Sequence, residues 1–386
     1  MKQAKLTTLL LLVVMMTSTF FTSCKMGKGG DSTGQDSTKT AVDSASLPDL
    51  KGDANINLAT RFYAGISKEG INMTEEDSKA WDSYSKEIKR LLDISYQTRT
   101  KLDTLAHDDF SDIREKVDLV FYPFSGADFL YPITLFPNAD TYVLSGLEKT
   151  GTPFSGDVKT NYAQYESYRQ ALSTFLRSSY FITKDMANDL DNEMIDGVCP
   201  VIAMLMATAG YEIISIQNMK FDENGKLTPS DGTSNVIQFK FFRSGSKHEQ
   251  TLCYVSGNVI DGGFDNNYKK FIETTFPDHT VATYLKAASY LMHQSNFSTI
   301  RDHIVDYSQY LLEDDSGIPY RFLADKFDIT LYGIYKRPLR VFTDACIQPD
   351  LDQAYKDNAD KVKPLTFQIG YNKPSNLLCA RRKAAK

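Results

Sequence analysis

The stretch Val117-Asp-Leu-Val-Phe-Tyr-Pro-Phe-Ser-Gly-Ala-Asp128 decides the predicted fold. Residues 117–124 are rich in valine, leucine, phenylalanine and tyrosine, and a short apolar run of this kind indicates a buried strand. The run ends in a glycine turn, and a short helix-like segment covers residues 127–135. Asp140-Thr-Tyr-Val-Leu144 then predicts a second strand. This part of the chain is therefore predicted to form a β-α-β unit.

Helical and strand patterns continue on both sides of this unit. Upstream, Thr74 and Asp77 resemble a capping box and predict the start of a long helix. The apolar face of that helix consists of Trp81, Tyr84, Ile88 and Leu91. Downstream, helices are predicted over 162–176, within 190–209, around 267–275 and over 297–312. Strands are predicted over 211–221, 236–242, 251–259, 330–335, 366–371 and 376–380, and residues 280–292 fit either type. The pattern predicts the α/β class, a mixed sheet with flanking helices, with a degenerate Rossmann-like core as one form of it.

The turn after the first strand carries a resemblance to a known family. Phe121-Tyr-Pro-Phe-Ser-Gly-Ala-Asp128 resembles the Asp-Pro-Phe-x-Gly-x-Gly turn of Rossmann-like methyltransferases. The resemblance implies a backbone that approaches a nucleoside cofactor, with Glu148 after the next strand binding its ribose. Two positions depart from the family: Tyr122 replaces an aspartate, and Asp128 replaces the second glycine and would crowd the cofactor. We therefore predict that no cofactor binds and that any methyltransferase-like fold here is without activity; Ser125, Asp128 and Glu148 are candidate functional residues.

A second motif lies near the end of the chain. Asp314-Asp-Ser-Gly-Ile-Pro319 resembles the nucleophile loop of chymotrypsin-like proteases, which implies a role for Ser316 as a nucleophile. Asp314 and Ile318 depart from that pattern, since the family has glycine at both places. The segment around His107 is a poor substitute for the family's base. A turn whose aspartates cap backbone amides is the favoured interpretation.

Acidic residues from both motifs suggest a further alternative. Asp128, Glu148, Asp314 and Asp315 are candidates for a cluster of carboxylates at strand ends, as in an envelope hydrolase. An enzyme would bring them together in one cleft, whereas an accessory protein would leave them scattered. No cysteine or histidine spacing indicates zinc, and the sequence predicts no metal site.

Composition limits the classes of partner. The 386 residues are 42% hydrophobic, enough for a large core, and carry a formal net charge of −6. This acidic balance argues against nucleic acid, whose binding needs clustered lysine and arginine. The 22 tyrosines and 23 phenylalanines fit either a sugar- or protein-binding surface or an aromatic core.

The N-terminus carries the most specific pattern in the chain. Lys2 and Lys5 precede the apolar run 6–16, which is shorter than the roughly 20 residues of a membrane-spanning helix. Phe21-Thr-Ser-Cys24 resembles the lipobox of bacterial lipoproteins, which implies a signal peptide over residues 1–23 and acylation of Cys24. Lys25, in place of the usual retention aspartate, favours the outer membrane. Removal of the signal would bring the net charge to −8.

Residues 24–48 are predicted to be the lipidated start and a polar tether, with a span of roughly 25 to 30 Å if it behaves as a flexible coil. A globular domain is predicted over 49–386, with sub-domains 49–210 and 211–386 as an alternative.

Four cysteines follow Cys24, and this even number allows one or two disulfides in an oxidising compartment. Cys199, however, lies in an apolar run that is typical of a buried free thiol.

These patterns predict a lipid-anchored cell-envelope protein that binds or assembles with other envelope components. Its expected partners are the membrane, through the lipid anchor, and envelope proteins or glycans. The carboxylate hydrolase and the inactive methyltransferase-like fold remain alternatives, and the sequence leaves open whether the chain is an enzyme.

Overall fold

A mixed β-sheet forms the centre of the computed structural model of the protein, which describes residues 49–181, 189–342 and 344–384. The strands in these residues are β1 (Leu119–Tyr122), β2 (Thr141–Gly146), β3 (Tyr211–Phe221), β4 (Leu227–Pro229), β5 (Val236–Arg243), β6 (Glu249–Ser256), β7 (Val281–Leu285), β8 (Tyr310–Glu313), β9 (Phe327–Gly333) and β10 (Asn376–Arg382). They lie in the order β4-β3-β5-β6-β2-β1-β7-β8-β10-β9. The predicted α/β class, with a mixed sheet and flanking helices, is confirmed. The predicted signal peptide, Cys24 and the tether lie outside the described residues.

The middle of the sheet is parallel. Strands β6, β2, β1, β7 and β8 all run in one direction, and Phe121 of β1 aligns with Val143 of β2 and Thr283 of β7. Numbered by their order in the chain, these strands lie 3-2-1-4-5, as in Rossmann-type folds. In the sheet, β2 lies on one side of β1, and β7, which comes later in the chain, lies on the other side. A topological switch point therefore lies between β1 and β7, and ligands of open α/β sheets bind beside such a point, at the carboxyl ends of the strands.

Antiparallel strands extend both edges of this parallel core. Strands β5, β3 and β4 continue the sheet beyond β6, and β10 and β9 continue it beyond β8. The connection between β3 and β4 is the predicted turn, in which Asp222 Oδ1 accepts hydrogen bonds from the backbone amides of Asn224 and Lys226. Gly225 has a φ of 82°, which a residue with a side chain rarely adopts.

Helices cover both faces of the sheet. Those in the described residues are α1 (Ala54–Tyr63), α2 (Glu75–Asp109), α3 (Ser111–Arg114), α4 (Leu130–Leu135), α5 (Tyr162–Ser178), α6 (Cys199–Thr208), α7 (Asn266–Thr275), α8 (Ser298–Tyr307) and α9 (Pro349–Asp357). Side chains of β1 alternate between the two faces: Val120 and Tyr122 join the core beneath α2, α4, α5 and α6, while Leu119 and Phe121 join the core beneath α7 and α8. The parallel strands are thus buried on both sides.

Helix α2 confirms the predicted cap and apolar face. The hydroxyl of Thr74 accepts a hydrogen bond from the backbone amide of Asp77 at 3.1 Å, which satisfies one of the free amides at the helix start. The 35-residue helix extends about 52 Å. Trp81 is buried and donates its indole N–H to the carbonyl of Phe62 at 3.1 Å, so it is a core residue, as predicted.

Two predictions at the end of the chain were wrong, and one helix was missed. The helix predicted over 297–312 ends at Tyr307, because Tyr310–Glu313 pairs with β7 as a strand. Residues 366–371 form no strand, and the amide of Ile369 bonds instead to the Ser375 hydroxyl. Helix α9 was not predicted. No helix in the described part of the chain has both the length and the apolar character needed to cross a bilayer.

Candidate functional site

A cavity of about 460 Å³ lies at the carboxyl ends of β1, β2 and β7, beside the switch point. We call it the strand-end cleft. Its polar lining consists of Ser125, Asp128, Glu148, Lys286 and Ser289, and its aromatic lining of Tyr122, Phe124, Tyr180, Phe181, Phe342 and Tyr371. Leu147, Leu339 and Val341, at its margin, are 62%, 41% and 80% exposed. Of the candidate residues, Ser125, Asp128 and Glu148 therefore meet in one cavity.

The turn after β1 is pressed against the end of β2. Phe124 and Gly126 both have left-handed φ values, 64° and 54°, which end the strand and reverse the chain. The amide of Ser125 donates to the carbonyl of Ser145 at 2.9 Å. A Cβ atom on Gly146 would lie 3.2 Å from the Gly126 Cα and 2.4 Å from Glu148 Oε2. Glycine at position 146 thus permits this close approach of turn and strand.

Asp128 forms a buried ion pair with Lys286, the residue that follows β7. Lys286 Nζ lies 2.9 Å from Asp128 Oδ2, and the two side chains are 0% and 1% exposed. The ammonium group also donates to the carbonyl of Ser179 and lies 3.2 Å from the centre of the Tyr131 ring. Burial lowers the pKa of Lys286, and the carboxylate of Asp128 opposes that shift. The two charges compensate each other at the floor of the cleft.

Asp128 also orders the backbone that follows it. Its Oδ1 atom accepts from the amide of Tyr131 at 3.2 Å, in the first turn of α4, and its Oδ2 atom accepts from the Tyr122 hydroxyl at 3.2 Å. With Lys286, these donors occupy both carboxylate oxygens. The residue that departs from the methyltransferase pattern is thus built into the wall of the cleft.

Glu148 is the cleft's uncompensated acidic group. It is 8% exposed, and its Oε2 atom lies 3.1 Å from the Tyr254 hydroxyl. Burial raises the pKa of Glu148, while hydrogen bonds from its own amide and from Tyr254 lower it. No lysine or arginine in the described ranges forms an ion pair with this carboxyl group. It therefore retains capacity to hydrogen-bond a ligand in the cleft.

Strained backbone is concentrated at this end of the sheet. Five non-glycine residues of the described chain have left-handed φ values: Phe124, Ser179, Ala287, Ser289 and Tyr290. Phe124, Ala287 and Ser289 line the cleft, Tyr290 belongs to the same turn as the last two, and the Ser179 carbonyl binds Lys286. Left-handed backbone costs about 1–2 kcal/mol for a residue with a side chain. Such strain is characteristic of functional sites, where the surrounding structure must hold it in place.

The acidic turn after β8 supplies that support. Asp314 Oδ2 accepts from the amide of Ala287 at 3.2 Å, Ser316 Oγ accepts from the amide of Ala288 at 2.8 Å, and Asp315 Oδ2 accepts from the Tyr290 hydroxyl at 2.6 Å. Asp314, Asp315 and Ser316 are themselves buried, and none of them lines the cleft. Both predicted motifs therefore contact residues 286–288 after β7, but the first lines the cavity, whereas the second supports that segment from behind.

Burial governs the protonation of this acidic turn. Burial, together with the charge of Asp315, raises the pKa of Asp314 to about 7. The pKa of Glu313 is also well above its ordinary value because the side chain is buried. The Ser316 hydroxyl donates to Asp314 Oδ1, an interaction that fixes the turn. These contacts match the predicted turn in which aspartates accept from backbone amides.

Sequence reasoning missed Lys286 and Tyr254. Residues 280–292 fitted either a helix or a strand, so Lys286 had no assigned position at a strand end. The apolar run Val281–Leu285, which is followed directly by a lysine, was the available signal. Tyr254 lies in a predicted strand, and only the pairing of β2 with β6 places it beside Glu148.

No group of three or more histidine, cysteine, aspartate or glutamate side chains that could hold a metal occurs in the described part of the chain. Cys199, Cys253 and Cys379 are buried thiols outside any disulfide, and burial raises the pKa of each, to about 12, 11 and 12. No family model, curated protein or solved structure matches this chain.

Proposed function

We propose that this chain is a lipid-anchored protein of the cell envelope that binds a small hydroxyl-bearing ligand in the strand-end cleft. The observation that carries the binding role is the concentration of left-handed, non-glycine backbone around a cavity at the switch point. A fold retains several strained residues in one place when their conformation is needed there. The cleft lies where open α/β sheets bind ligands.

The lining indicates the chemistry of the ligand. Glu148 offers a carboxyl group that can accept from hydroxyls when ionised, or donate to an oxygen when protonated. Phe124, Phe181 and Tyr371 offer aromatic surfaces for a flat or ring-shaped apolar face. The exposed side chains of Leu147 and Val341 add apolar surface at the mouth. A sugar ring or a nucleoside combines these properties, because each has adjacent hydroxyls and a face that stacks on aromatic rings.

Binding fits the geometry better than hydrolysis by clustered carboxylates. A pair of catalytic carboxylates must face the same bond of a substrate. Glu148 faces the cleft, but Asp128 is bonded to Lys286, and Asp314 and Asp315 lie behind the turn after β7. Within the methyltransferase-like alternative, we favour a fold without activity, because Asp128 occupies the position of the family's second glycine.

The anchor is supported by the sequence pattern at Cys24 and by the polar segment that follows it. A lipidated cysteine would hold the domain at the membrane, since several acyl chains together anchor a protein stably. Envelope glycans would then be available to the cleft.

Binding can be tested with the full chain purified in detergent micelles. Thermal unfolding should be followed with panels of nucleosides and of mono- and disaccharides, and hits quantified by calorimetry. We expect at least one panel to raise the melting temperature, and Glu148→Gln to weaken binding by about tenfold, the effect of losing one charge-assisted hydrogen bond. The matched control is Glu223→Gln, an exposed glutamate in the β3–β4 turn, which should bind like the wild type. Equal binding by the Glu148→Gln and control variants would refute the assigned role of the cleft.

The anchor requires a separate experiment. In cells fed labelled palmitate, the wild-type chain should take up label and sediment with membranes, whereas Cys24→Ala should remain unlabelled. Cys253→Ala, which removes a cysteine buried in the fold, serves as the control and should be labelled normally. A labelled Cys24→Ala variant would contradict the predicted lipobox.

A further inference from the structure

A second cavity, of about 330 Å³, lies at the opposite edge of the parallel strands. Its lining includes Arg99 from α2, Arg114 from α3 and Arg243 from the end of β5, together with Asp103 and the exposed Tyr96. The lining also includes Pro137, just before β2, and Tyr211, at the start of β3. The cavity therefore lies at the amino-terminal ends of the parallel strands. We call this cavity the basic pocket.

The charges of the basic pocket do not balance. Three arginines face one carboxylate, and that carboxylate is already engaged, because Arg114 Nη2 lies 2.8 Å from Asp103 Oδ1. Neither Arg99 nor Arg243 forms an ion pair with any carboxylate of the described ranges. In a chain whose formal net charge is −6, two uncompensated arginines in one cavity are not a consequence of composition.

Arg99 is partly withdrawn from water without a charged partner. Its one hydrogen bond within the described chain runs from Nε to the Ser95 hydroxyl and is long, at 3.4 Å. Burial lowers the pKa of Arg99, and the charge of Asp128 partly opposes this effect. Asp128 itself is bonded to Lys286, so it is not available to Arg99 as a direct partner. A desolvated guanidinium with unused donors is costly unless an anion completes its hydrogen bonds.

The pocket is formed in advance by regular structure. Arg99 and Asp103 lie one turn apart on α2, and Arg114 also donates to the carbonyl of Thr134 in α4 at 3.0 Å. Arg243 is fixed by the pairing of β5 with β3, which aligns it with Tyr211. An anion that enters would therefore meet donors on elements that need not move.

We propose that the basic pocket binds a phosphate group, either as free phosphate or as the phosphate of an ester or lipid headgroup. Two uncompensated positive charges match a group that carries nearly two negative charges at neutral pH, as a phosphate monoester does. Guanidinium groups bind phosphate oxygens through paired hydrogen bonds, and Arg99 and Arg243 have donors to offer. The third arginine, Arg114, remains bonded to Asp103 and shapes the wall.

The test measures binding of inorganic phosphate, glycerol phosphate and vesicles by the full chain in detergent or liposomes. Phosphate should bind saturably, and Arg99→Gln and Arg243→Gln should each weaken it by about tenfold. Arg61→Gln, which removes an exposed arginine of α1 outside the pocket, should bind like the wild type. Arg243 is exposed, so its variant reports on binding even if Arg99→Gln fails to fold.

The vesicle arm separates the two sources of phosphate. If phosphatidic acid vesicles, whose headgroup is a phosphate monoester, compete with glycerol phosphate and phosphatidylcholine vesicles do not, the occupant is a lipid headgroup. Competition by soluble esters alone assigns a soluble ligand. The absence of saturable phosphate binding in both soluble and vesicle arms would overturn the proposal. So would binding that Arg243→Gln and Arg61→Gln weaken equally, because that result would indicate general attraction to surface charge.

Discussion

The strand-end cleft and the basic pocket lie at opposite edges of the same parallel strands, and they leave side chains of opposite charge without an ion-pair partner in the described residues. In the strand-end cleft, the lysine and aspartate at the floor compensate each other completely, and one carboxyl group, Glu148, is left for a ligand. In the basic pocket, the single carboxylate is used by Arg114, and two guanidinium groups are left. The comparison indicates that the first cavity is suited to a neutral, hydroxyl-bearing ligand and the second to an anion.

The cavities also differ in how they are held open. The walls of the cleft are turns with left-handed residues, stabilised from behind by Asp314, Asp315 and Ser316. The wall of the basic pocket consists largely of helices and strand ends. Changes in the cleft should therefore affect the stability of the fold, whereas a change at the exposed Arg243 of the basic pocket should affect little besides ligand binding.

The largest effect is expected from Lys286→Met. This substitution leaves Asp128 buried without its partner, which should lower the free energy of unfolding by about 3–5 kcal/mol. Adding Asp128→Asn to it should recover most of the loss, because the unpaired charge is then absent. Lys326→Met is the control: it breaks an exposed pair with Asp306, so we expect a loss below about 1 kcal/mol. Urea unfolding of the wild type, the two lysine variants and the double variant measures these free energies of unfolding. Equal losses for Lys286→Met and Lys326→Met would contradict the conclusion that Lys286 compensates the buried charge of Asp128.

The next largest effect is expected where the turn after β1 packs closely against the end of β2. In Gly146→Ala, the new methyl group would meet Glu148 Oε2 at 2.4 Å and the Tyr254 hydroxyl at 2.8 Å. We expect a loss of about 1–3 kcal/mol in unfolding free energy and displacement of Glu148. Gly232→Ala is matched to it, because a Cβ at position 232 meets no atom within 4 Å. Unfolding curves that show similar stability for both variants would mean that the cleft is less tightly closed than the structure has it.

The buried turn behind the cleft should give an effect of similar size that depends on pH. Burial raises the pKa of folded Asp314 to about 7, above the roughly 3.9 of an unfolded aspartate, so the folded state binds this proton more tightly. The resulting stabilisation is complete below about pH 4 and is lost as the pH rises toward 7. Relative to Asp314→Asn, the wild type should therefore lose about 2–3 kcal/mol of stability between pH 5 and pH 8.

The control for this pH effect is Asp231→Asn, an exposed aspartate. Its stability curve should run parallel to that of the wild type between pH 5 and pH 8. If the Asp314→Asn curve were also parallel to the wild type, Asp314 would titrate at an ordinary value, and its burial would not govern the turn.

The sequence was informative about the local part of the strand-end cleft and about the turn behind it. The strand and glycine turn at 117–128 could be predicted because a buried parallel strand is apolar along its whole length and its turn requires glycine. Ser125, Asp128 and Glu148 could be found for the same reason, since they follow strands. Asp314 and its neighbours were recognised as a turn, but their contact with the turn after β7 depends on the pairing of β7 with β8.

Partners that are distant in the chain could not be predicted. Lys286 is 158 residues from Asp128, and no local pattern connects them. The basic pocket likewise joins α2, α3 and β5, whose arginines are ordinary surface residues when each is considered in its own segment. The strand predicted at 366–371 is absent for a related reason: Ile369 is buried by tertiary contacts, and its amide bonds to the Ser375 side chain.

The smallest effect is expected from the basic pocket in the absence of phosphate. Arg243 forms no ion pair in the described part of the chain and is exposed, so Arg243→Gln should change the free energy of unfolding by less than about 0.5 kcal/mol. Arg114→Gln should lose about 1 kcal/mol, because it breaks the contacts with Asp103 and the Thr134 carbonyl. In added phosphate, only the wild type and not Arg243→Gln should gain substantial stability, since a ligand stabilises the state that binds it. A large loss in Arg243→Gln without phosphate would show that this arginine already has an internal partner, and the contrast between the two cavities would then disappear.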